Sequence, residues 1–160
     1  MKTNLEQNES NPLKGEEIDR YSRQMILDEV GLEGQQRLKK ARVLVIGAGG
    51  IGSSLLMQLA ASGVGTIGIV DDDKVEVNNL HRQVLHSELE KGKPKVESAK
   101  KRLSELNPHT NIELHNCRIT KANAQELVRG YDVVCDGSDN ASTRYLVNDA
   151  CVFEKVVLQE

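Results

Sequence analysis

Two hydrophobic patterns alternate along this chain. Short apolar runs rich in β-branched residues are typical of buried parallel strands, and they occupy 42–46, 66–70, 111–114, 131–135 and 156–158. Segments with apolar residues three and four positions apart are typical of amphipathic helices, and they occupy 53–62, 94–106, 123–129 and 140–153. The alternation predicts an α/β fold, a Rossmann-like and mostly parallel sheet with helices on both faces.

The first forty residues follow other patterns. Residues 1–15 are polar and lack hydrophobic periodicity, so we predict a disordered tail there. From Glu16 to Lys40 the apolar spacing predicts a helical extension of two helices that are broken around Gly31. Residues 16–160 are then expected to form one domain.

Composition and charge exclude several classes of function. A net charge of −3 argues against a nucleic-acid partner held by phosphate attraction. No apolar run approaches the ~20 residues of a membrane span, and no secretory signal precedes the domain, so we expect a cytoplasmic protein without a membrane partner. The three cysteines are scattered without a C-x-x-C pair and are predicted to be reduced structural thiols.

A glycine-rich loop follows the first strand. Gly47, Gly49 and Gly52 form G-x-G-x-x-G, in which the glycines allow a tight turn, a close phosphate and close helix packing. The helix that follows offers free N–H donors to an anion. Asp71 lies nineteen residues after Gly52, at the end of the second strand, where it could accept hydrogen bonds from ribose hydroxyls. The loop predicts a nucleotide, which on this evidence is either a dinucleotide or ATP.

Two cationic residues after the second strand bear on that choice. A triphosphate needs cations near its outer phosphates, and Arg82 and Lys95 could supply them. Lys95 opens a helix, where a cation is unfavourable unless an anion lies nearby. A solvated basic face is the alternative, and it is favoured for residues 100–102, on the polar side of that helix.

The fourth strand is followed by Asp136 and Asp139. Strand ends border the ligand crevice of an open α/β sheet, and Mg²⁺ usually binds one or two carboxylates together with phosphates. Duty in a turn or as a helix N-cap explains the same residues equally well. The two interpretations stay open on these residues alone.

Six ordered motifs resemble those of the E1-like (ubiquitin-activating) ThiF/MoeB/HesA superfamily. They lie at 20–24, 47–53, 71–73, 79–83, 94–95 and 138–140, and the resemblance runs from about Glu16 to the end. The segment 144–151 makes the chain most similar to the eukaryotic adenylyltransferase-sulfurtransferases that activate ubiquitin-like sulfur carriers.

The resemblance implies a reaction and a set of site residues. Such enzymes bind ATP and Mg²⁺ and adenylate the C-terminal glycine of a ubiquitin-like sulfur-carrier protein, for molybdenum-cofactor synthesis, tRNA thiolation or both. No general base is required, because the attacking carboxylate is already ionised at neutral pH. The residues placed at the nucleotide are Gly47, Gly49, Gly50, Gly52, Asp71, Asp73, Asn79, Arg82, Gln83 and Lys95.

Two further residues complete the expected catalytic set with Arg82 and Lys95. Asp139 stands where the family has its carboxylate associated with Mg²⁺. Arg23 matches an arginine that reaches into the partner subunit's site, which implies a homodimer with composite active sites.

Family members normally continue beyond the span seen here. The continuation holds a reactive cysteine, strands that receive the carrier, and two C-x-x-C pairs for a structural zinc whose ligands this chain lacks. We therefore expect weak ATP binding and poor adenylation unless another chain completes the fold. Two alternatives to an adenylation domain remain: a non-catalytic module for dimerisation or carrier docking, and, more remotely, an NAD-dependent oxidoreductase.

Overall fold

A computed structural model describes residues 12–160 and confirms the predicted α/β class. Strands and helices alternate after an N-terminal helical pair. The elements in chain order are α1 (Gly15–Met25), α2 (Gly31–Lys40), β1 (Arg42–Ile46), α3 (Gly50–Ser62), β2 (Thr66–Val70), α4 (Lys95–Leu106), β3 (Asn111–His115), α5 (Ala124–Val128), β4 (Val133–Asp136), α6 (Ala141–Glu154) and β5 (Val157–Gln159).

The five strands form one parallel sheet in the order β3-β2-β1-β4-β5. Val43 of β1 pairs with Ile67 on one side and with Val133 on the other. The chain therefore builds outward from β1 through β2 to β3 and then returns to the opposite side of β1. The carboxyl ends of β1 and β4 border the crevice that such a reversal of strand order creates, which is the usual ligand site of open α/β sheets.

Alternate residues of the central strands enter two separate cores. Val43 and Val45 point to a core that α3 and α4 cover, whereas Leu44 and Ile46 point to one covered by α5 and α6. Because β1 is buried on both faces, its sequence is continuously apolar rather than alternating. Helices on both faces of the sheet are thus confirmed.

The N-terminal helices hold the far end of α3. The Ser62 carbonyl at the end of α3 accepts hydrogen bonds from the side-chain amides of Gln24 at 2.8 Å and Gln35 at 3.0 Å. The Asn107 amide donates at 2.7 Å both to the Ala60 carbonyl and to the Tyr21 hydroxyl. The two bonds to Ser62 satisfy a carbonyl at the helix end, and all four tie the end of α3 to α1, α2 and the end of α4.

The N-terminal boundary of the domain differs from the prediction. Residues 1–11 of the predicted tail lie outside the described residues, but Leu13 is buried and the Pro12 carbonyl accepts a hydrogen bond from Lys39. The Lys14 amide also donates to Glu17 at 2.8 Å, and α1 begins at Gly15. Residues 12–15 therefore contact the domain, because one apolar side chain inside a polar stretch is buried there.

The starts of α3 and β4 differ from the prediction by two residues or more. Helix α3 begins at Gly50, inside the glycine loop, rather than at Ser53. Strand β4 begins at Val133 because Tyr131 instead lies against Gly68 of β2 and donates to Glu113 at 2.7 Å. Among residues 12–160, no helix has the length and apolar character that crossing a membrane requires.

Candidate nucleotide site

A pocket of about 680 Å³ opens at the carboxyl ends of β1, β2 and β4. It lies at the reversal of strand order, where the loops after these strands converge. Most of the residues expected at the nucleotide line it: Gly47, Gly49, Gly50, Asp71, Asp73, Asn79, Arg82, Gln83, Lys95 and Asp139. The structure thus gathers residues that are up to 92 positions apart in the chain around one cavity.

The glycine loop owes its shape to close backbone packing. Gly47 has a φ of +92°, in the left-handed region that favours glycine, and its N–H donates to the Val70 carbonyl at 2.8 Å. A Cβ on Gly52 would lie 1.9 Å from the Gly47 carbonyl oxygen. Gly52 does not line the pocket, so its role is the close packing of α3 against the loop.

The N-terminus of α3 is free to bind an anion. Its N-cap is Gly49, which has no side chain to satisfy the first amides, and the first turn carries no acidic residue. The free N–H groups and the positive end of the helix dipole lie at the wall that Gly49 and Gly50 form. This end of the pocket suits a phosphate.

Asp71 is held rigidly at the end of β2. One carboxylate oxygen accepts from the Ala48 amide at 2.8 Å, and the other accepts from the Asp73 amide at 2.8 Å. Each carboxylate oxygen can accept a second hydrogen bond, so Asp71 can still receive hydroxyl donors from a ribose. It therefore orients the glycine loop as well as facing the pocket.

Lys95 is buried and already paired with an anion. Its ammonium donates to a carboxylate oxygen of Asp73 at 2.8 Å, and its backbone N–H donates to the Asp73 carbonyl at 2.9 Å. The side chain of Lys95 is only 5% exposed, whereas that of Asp73 is 66% exposed. The anion expected beside Lys95 is thus supplied, in this structure, by Asp73.

Arg82 lies over the glycine loop. Its side-chain carbons would be 3.8 Å from a Cβ on Gly50, and its guanidinium donates to the Asn79 side chain at 2.8 Å. The side-chain amide of the buried Gln83 would be 3.8 Å from a Cβ on Gly49. The backbone amides of Arg82 and Gln83 both donate to the Asn79 carbonyl, so the three residues form one compact turn. This turn places their side chains in the lining of the pocket, beside the glycine loop.

The two aspartates whose roles the sequence left open lie at the end of β4 and in the loop that follows it. Asp136 accepts from the Ser138 amide at 2.8 Å, which is turn duty, while its other oxygen is buried without a partner in the described chain. The N-cap of α6 is Asn140, which accepts from the Thr143 amide at 2.8 Å. Asp139 therefore lines the pocket with an exposed carboxylate that makes neither contact.

The charge balance of the pocket lining favours a metal ion beside a bound triphosphate. Four cations and four carboxylates line it: Arg82, Lys95, Arg118, Arg144, Asp71, Asp72, Asp73 and Asp139. The balanced lining cannot by itself neutralise a triphosphate, and Asp71 and Asp73 are engaged by protein donors. The exposed carboxylate of Asp139 fits the one or two carboxylates with which a protein usually holds Mg²⁺ beside phosphates.

Arg23 is separate from this site. It is exposed on α1 and does not line the pocket of its own chain.

Several pocket residues were not among those expected at the nucleotide. Arg118, Thr143 and Arg144 line the pocket together with Cys117. Burial, and then the charge of Asp72, raise the pKa of the Cys117 thiol, so it stays protonated and is a poor nucleophile.

A buried histidine beneath the loop was also missed. His86 contacts the Ala48 carbonyl and the Ser98 hydroxyl, each at 2.9 Å. Nothing in the local sequence pattern around His86 shows that this residue lies under the glycine loop.

Two curated proteins match most of this chain in sequence. The sulfur carrier protein adenylyltransferase of Thermus thermophilus is 57% identical over 86% of this chain and 51% of its own length. The adenylyltransferase and sulfurtransferase MOCS3 of Aedes aegypti is 49% identical over 97% of this chain and 36% of its own length. The chain thus spans about half or less of these relatives.

A solved structure and a family model extend the comparison. The tRNA N6-threonylcarbamoyladenosine dehydratase TcdA of E. coli, in complex with ATP, superposes with a TM-score of 0.85 at 27% identity, covering 91% of this chain and 59% of that one. The model of the ThiF family matches residues 21–160. Since that match takes in most of the sequence and the whole pocket, this chain belongs to the ThiF family.

Proposed function

We propose that this chain binds Mg·ATP in the pocket between β1 and β4 and adenylates the C-terminal glycine of a ubiquitin-like sulfur carrier. The observation that carries the proposal is the position of Arg82 and Lys95 around the free N-terminus of α3. A relative named as a sulfur carrier protein adenylyltransferase supports the carrier as substrate. The similar solved structure in complex with ATP supports the nucleotide. Molybdenum-cofactor synthesis and tRNA thiolation are the pathways that such carriers serve.

The chemistry is a substitution at the α-phosphorus of ATP. A carboxylate oxygen of the carrier's terminal glycine forms a bond to phosphorus while the bond to the β-phosphate oxygen breaks. The products are an acyl-adenylate and pyrophosphate, and no proton needs to be removed because the carboxylate is ionised at neutral pH. The protein has to bring two anions together and stabilise the charge that collects on the leaving pyrophosphate.

Different residues of the pocket lining bind the ribose, the phosphates and the metal ion. Asp71 receives the ribose, and the amides at the start of α3 receive a phosphate. Arg82 and Lys95 stabilise the charge on the outer phosphates. Asp139 would hold Mg²⁺, which supplies further neutralisation of the phosphates when it is bound.

A homodimer and a cytoplasmic location belong to the same proposal. Arg23 is exposed on α1, where it is free to contact a second copy, as the family resemblance implies. A dinucleotide-dependent oxidoreductase is less well supported, because it assigns no role to Asp139 or to the cations over the loop.

ATP–pyrophosphate exchange tests the proposed reaction. Labelled pyrophosphate should enter ATP, at the low rate expected of this span of the family fold, when the chain is mixed with Mg·ATP and a sulfur carrier that ends in a free glycine carboxylate. The same carrier with an amidated C-terminus should give no exchange, because it lacks the attacking oxygen. Equal exchange with both carriers, or none with the free carboxylate, would overturn the proposal.

A further inference from the structure

His86 lies directly beneath the glycine loop and is almost fully buried. Its Nε2 is 2.9 Å from the Ala48 carbonyl oxygen, and its Nδ1 is 2.9 Å from the Ser98 hydroxyl. A carbonyl can only accept, so Nε2 carries the proton and donates to Ala48. Burial, and secondarily the nearby charge of Lys95, lower the pKa of His86, so the ring is neutral and its Nδ1 accepts from Ser98.

The contact to Ala48 sets the direction of the next amide. The peptide between Ala48 and Gly49 is trans, and in a planar trans peptide the C=O and the following N–H point in opposite directions. Because His86 holds the Ala48 carbonyl toward the interior, the Gly49 N–H is directed away from it, on the side where Gly49 lines the pocket. Within residues 12–160, this N–H has no hydrogen-bond acceptor.

The loop is held at both sides of Ala48. Its N–H donates to Asp71 at 2.8 Å, and its carbonyl accepts from His86. The Ser53 hydroxyl also approaches this carbonyl, but at 3.4 Å, so His86 makes the shorter bond. Ala48 therefore cannot rotate its following peptide without breaking the bond to His86.

The same histidine connects the loop to the cation. Ser98 lies one helical turn after Lys95 on α4, so both residues face the loop from the same side of that helix. His86 thus joins the element that carries the anion-binding amide to the element that carries the buried ammonium.

We propose that His86 is a positioning residue that aims the Gly49 N–H at the nucleotide phosphates and keeps that amide in register with Lys95. This inference rests on the proposed ATP function and adds a residue that acts through the backbone rather than by touching the nucleotide. This role requires a hydrogen-bond donor at the Nε2 position. A side chain that carries a polar group only at the Nδ1 position does not fulfil it.

Two amide side chains separate these requirements. Glutamine places an N–H donor near the Nε2 position, whereas asparagine reaches only the Nδ1 position. We expect His86→Gln to bind Mg·ATP within about threefold of the wild type, and His86→Asn to bind about tenfold or more weakly. His109→Asn is the matched control, since His109 lies away from the pocket, near Glu16, and its substitution should leave ATP affinity unchanged.

Affinity is measured by calorimetric titration, and thermal denaturation without ligand reports the stability of each variant. A histidine that only stabilised the fold would make affinity follow stability in both variants. Equal ATP affinity of the asparagine variant and the wild type would overturn the inference, as would equal losses in the asparagine and glutamine variants.

Inorganic triphosphate, followed through the Gly49 amide in ¹H–¹⁵N spectra, separates this inference from the proposed function. If the wild type binds triphosphate but not ATP, the proposed function fails, and a response lost only in the asparagine variant still supports the role of His86. If the wild type binds neither anion, both are overturned.

Discussion

The ammonium of Lys95 lies 2.8 Å from a carboxylate oxygen of Asp73, at the point where α4 begins beside the pocket. The two partners differ in exposure, since the lysine is buried and the aspartate reaches solvent. A phosphate that enters the pocket can therefore replace Asp73 as the ion-pair partner of Lys95, and the Asp73 carboxylate is then solvated. We infer that Asp73 is the counter-ion of Lys95 when no nucleotide is bound.

Removing the charge of Asp73 should have opposite effects on the stability of the free protein and on its stabilisation by Mg·ATP. Without ligand, Asp73→Asn should lower the free energy of unfolding by about 1–2 kcal/mol, because the buried ammonium loses its ionised partner. With Mg·ATP, its melting temperature should rise more than that of the wild type, because phosphate no longer competes with the carboxylate. Thermal denaturation with and without Mg·ATP measures both effects.

Glu154→Gln is the control for that substitution. It removes a carboxylate from a pair with Arg129 that lies away from the pocket, and it should leave the ligand-induced rise unchanged. A smaller rise in Asp73→Asn than in the wild type would contradict the counter-ion role and favour a direct contact of Asp73 with the nucleotide.

Removing the guanidinium over the loop should weaken nucleotide binding specifically. Arg82→Ala should raise the dissociation constant for Mg·ATP about ten- to a hundredfold, since hydrogen bonds to charged groups are the strong ones. Arg102→Ala is the matched control, because Arg102 is half-exposed on α4, outside the pocket. Unchanged affinity of the Arg82 variant in a calorimetric titration would show that the phosphates lie elsewhere.

The third glycine of the loop should not tolerate even a methyl group. In Gly52→Ala the Cβ would meet the Gly47 carbonyl at 1.9 Å, and backbone must move to relieve the overlap. We expect a loss of about 2 kcal/mol or more in the free energy of unfolding, together with weaker ATP binding. Gly15→Ala is the control, because nothing lies within 4 Å of the added Cβ; urea denaturation of the two variants should differ clearly.

The pair of Glu17 and Lys39 should make stability depend on pH. Burial would raise the pKa of Glu17, but hydrogen bonds from Lys39 and the Lys14 amide, with the charge of Lys39, hold it below the ordinary 4.5. A carboxyl with a lowered folded-state pKa contributes stability that is complete above its unfolded pKa and is lost as pH falls through the folded one. The stabilisation should therefore persist at neutral pH and disappear below pH 4.5.

Glu17→Gln tests that pH dependence. At pH 7 it should lower the free energy of unfolding by about 3 kcal/mol, because it leaves a largely buried ammonium without its carboxylate. The difference from the wild type should shrink as the pH is lowered below 4.5 in urea denaturation series. A difference that stays constant across this range would rule out the ionised pair as its source.

Local hydrophobic patterns in the sequence were sufficient to predict most of the strands and helices. Strands β1 and β2 end where the apolar runs end, because a buried strand must be apolar throughout and glycine or aspartate then breaks the pattern. Tyr131 was misplaced for a reason that lies outside its own segment. Its ring packs against Gly68, a residue 63 positions earlier, and no periodicity records such a contact.

The site was predictable only where a residue type has a role fixed by its place in a motif. The glycines and Asp71 follow from the mechanics of a loop between a strand and a helix. The pairing of Asp73 with Lys95 and the burial of His86 depend on how distant segments pack together, so the sequence pattern could not reveal them.

The most direct test of the account is a calorimetric titration of the wild-type chain with Mg·ATP and, separately, with NAD. The account predicts saturable binding of Mg·ATP at one site per chain, with NAD neither binding nor displacing it. Binding of NAD together with no binding of ATP would contradict the assignment of Arg82, Lys95 and Asp139 to the phosphates and their metal ion.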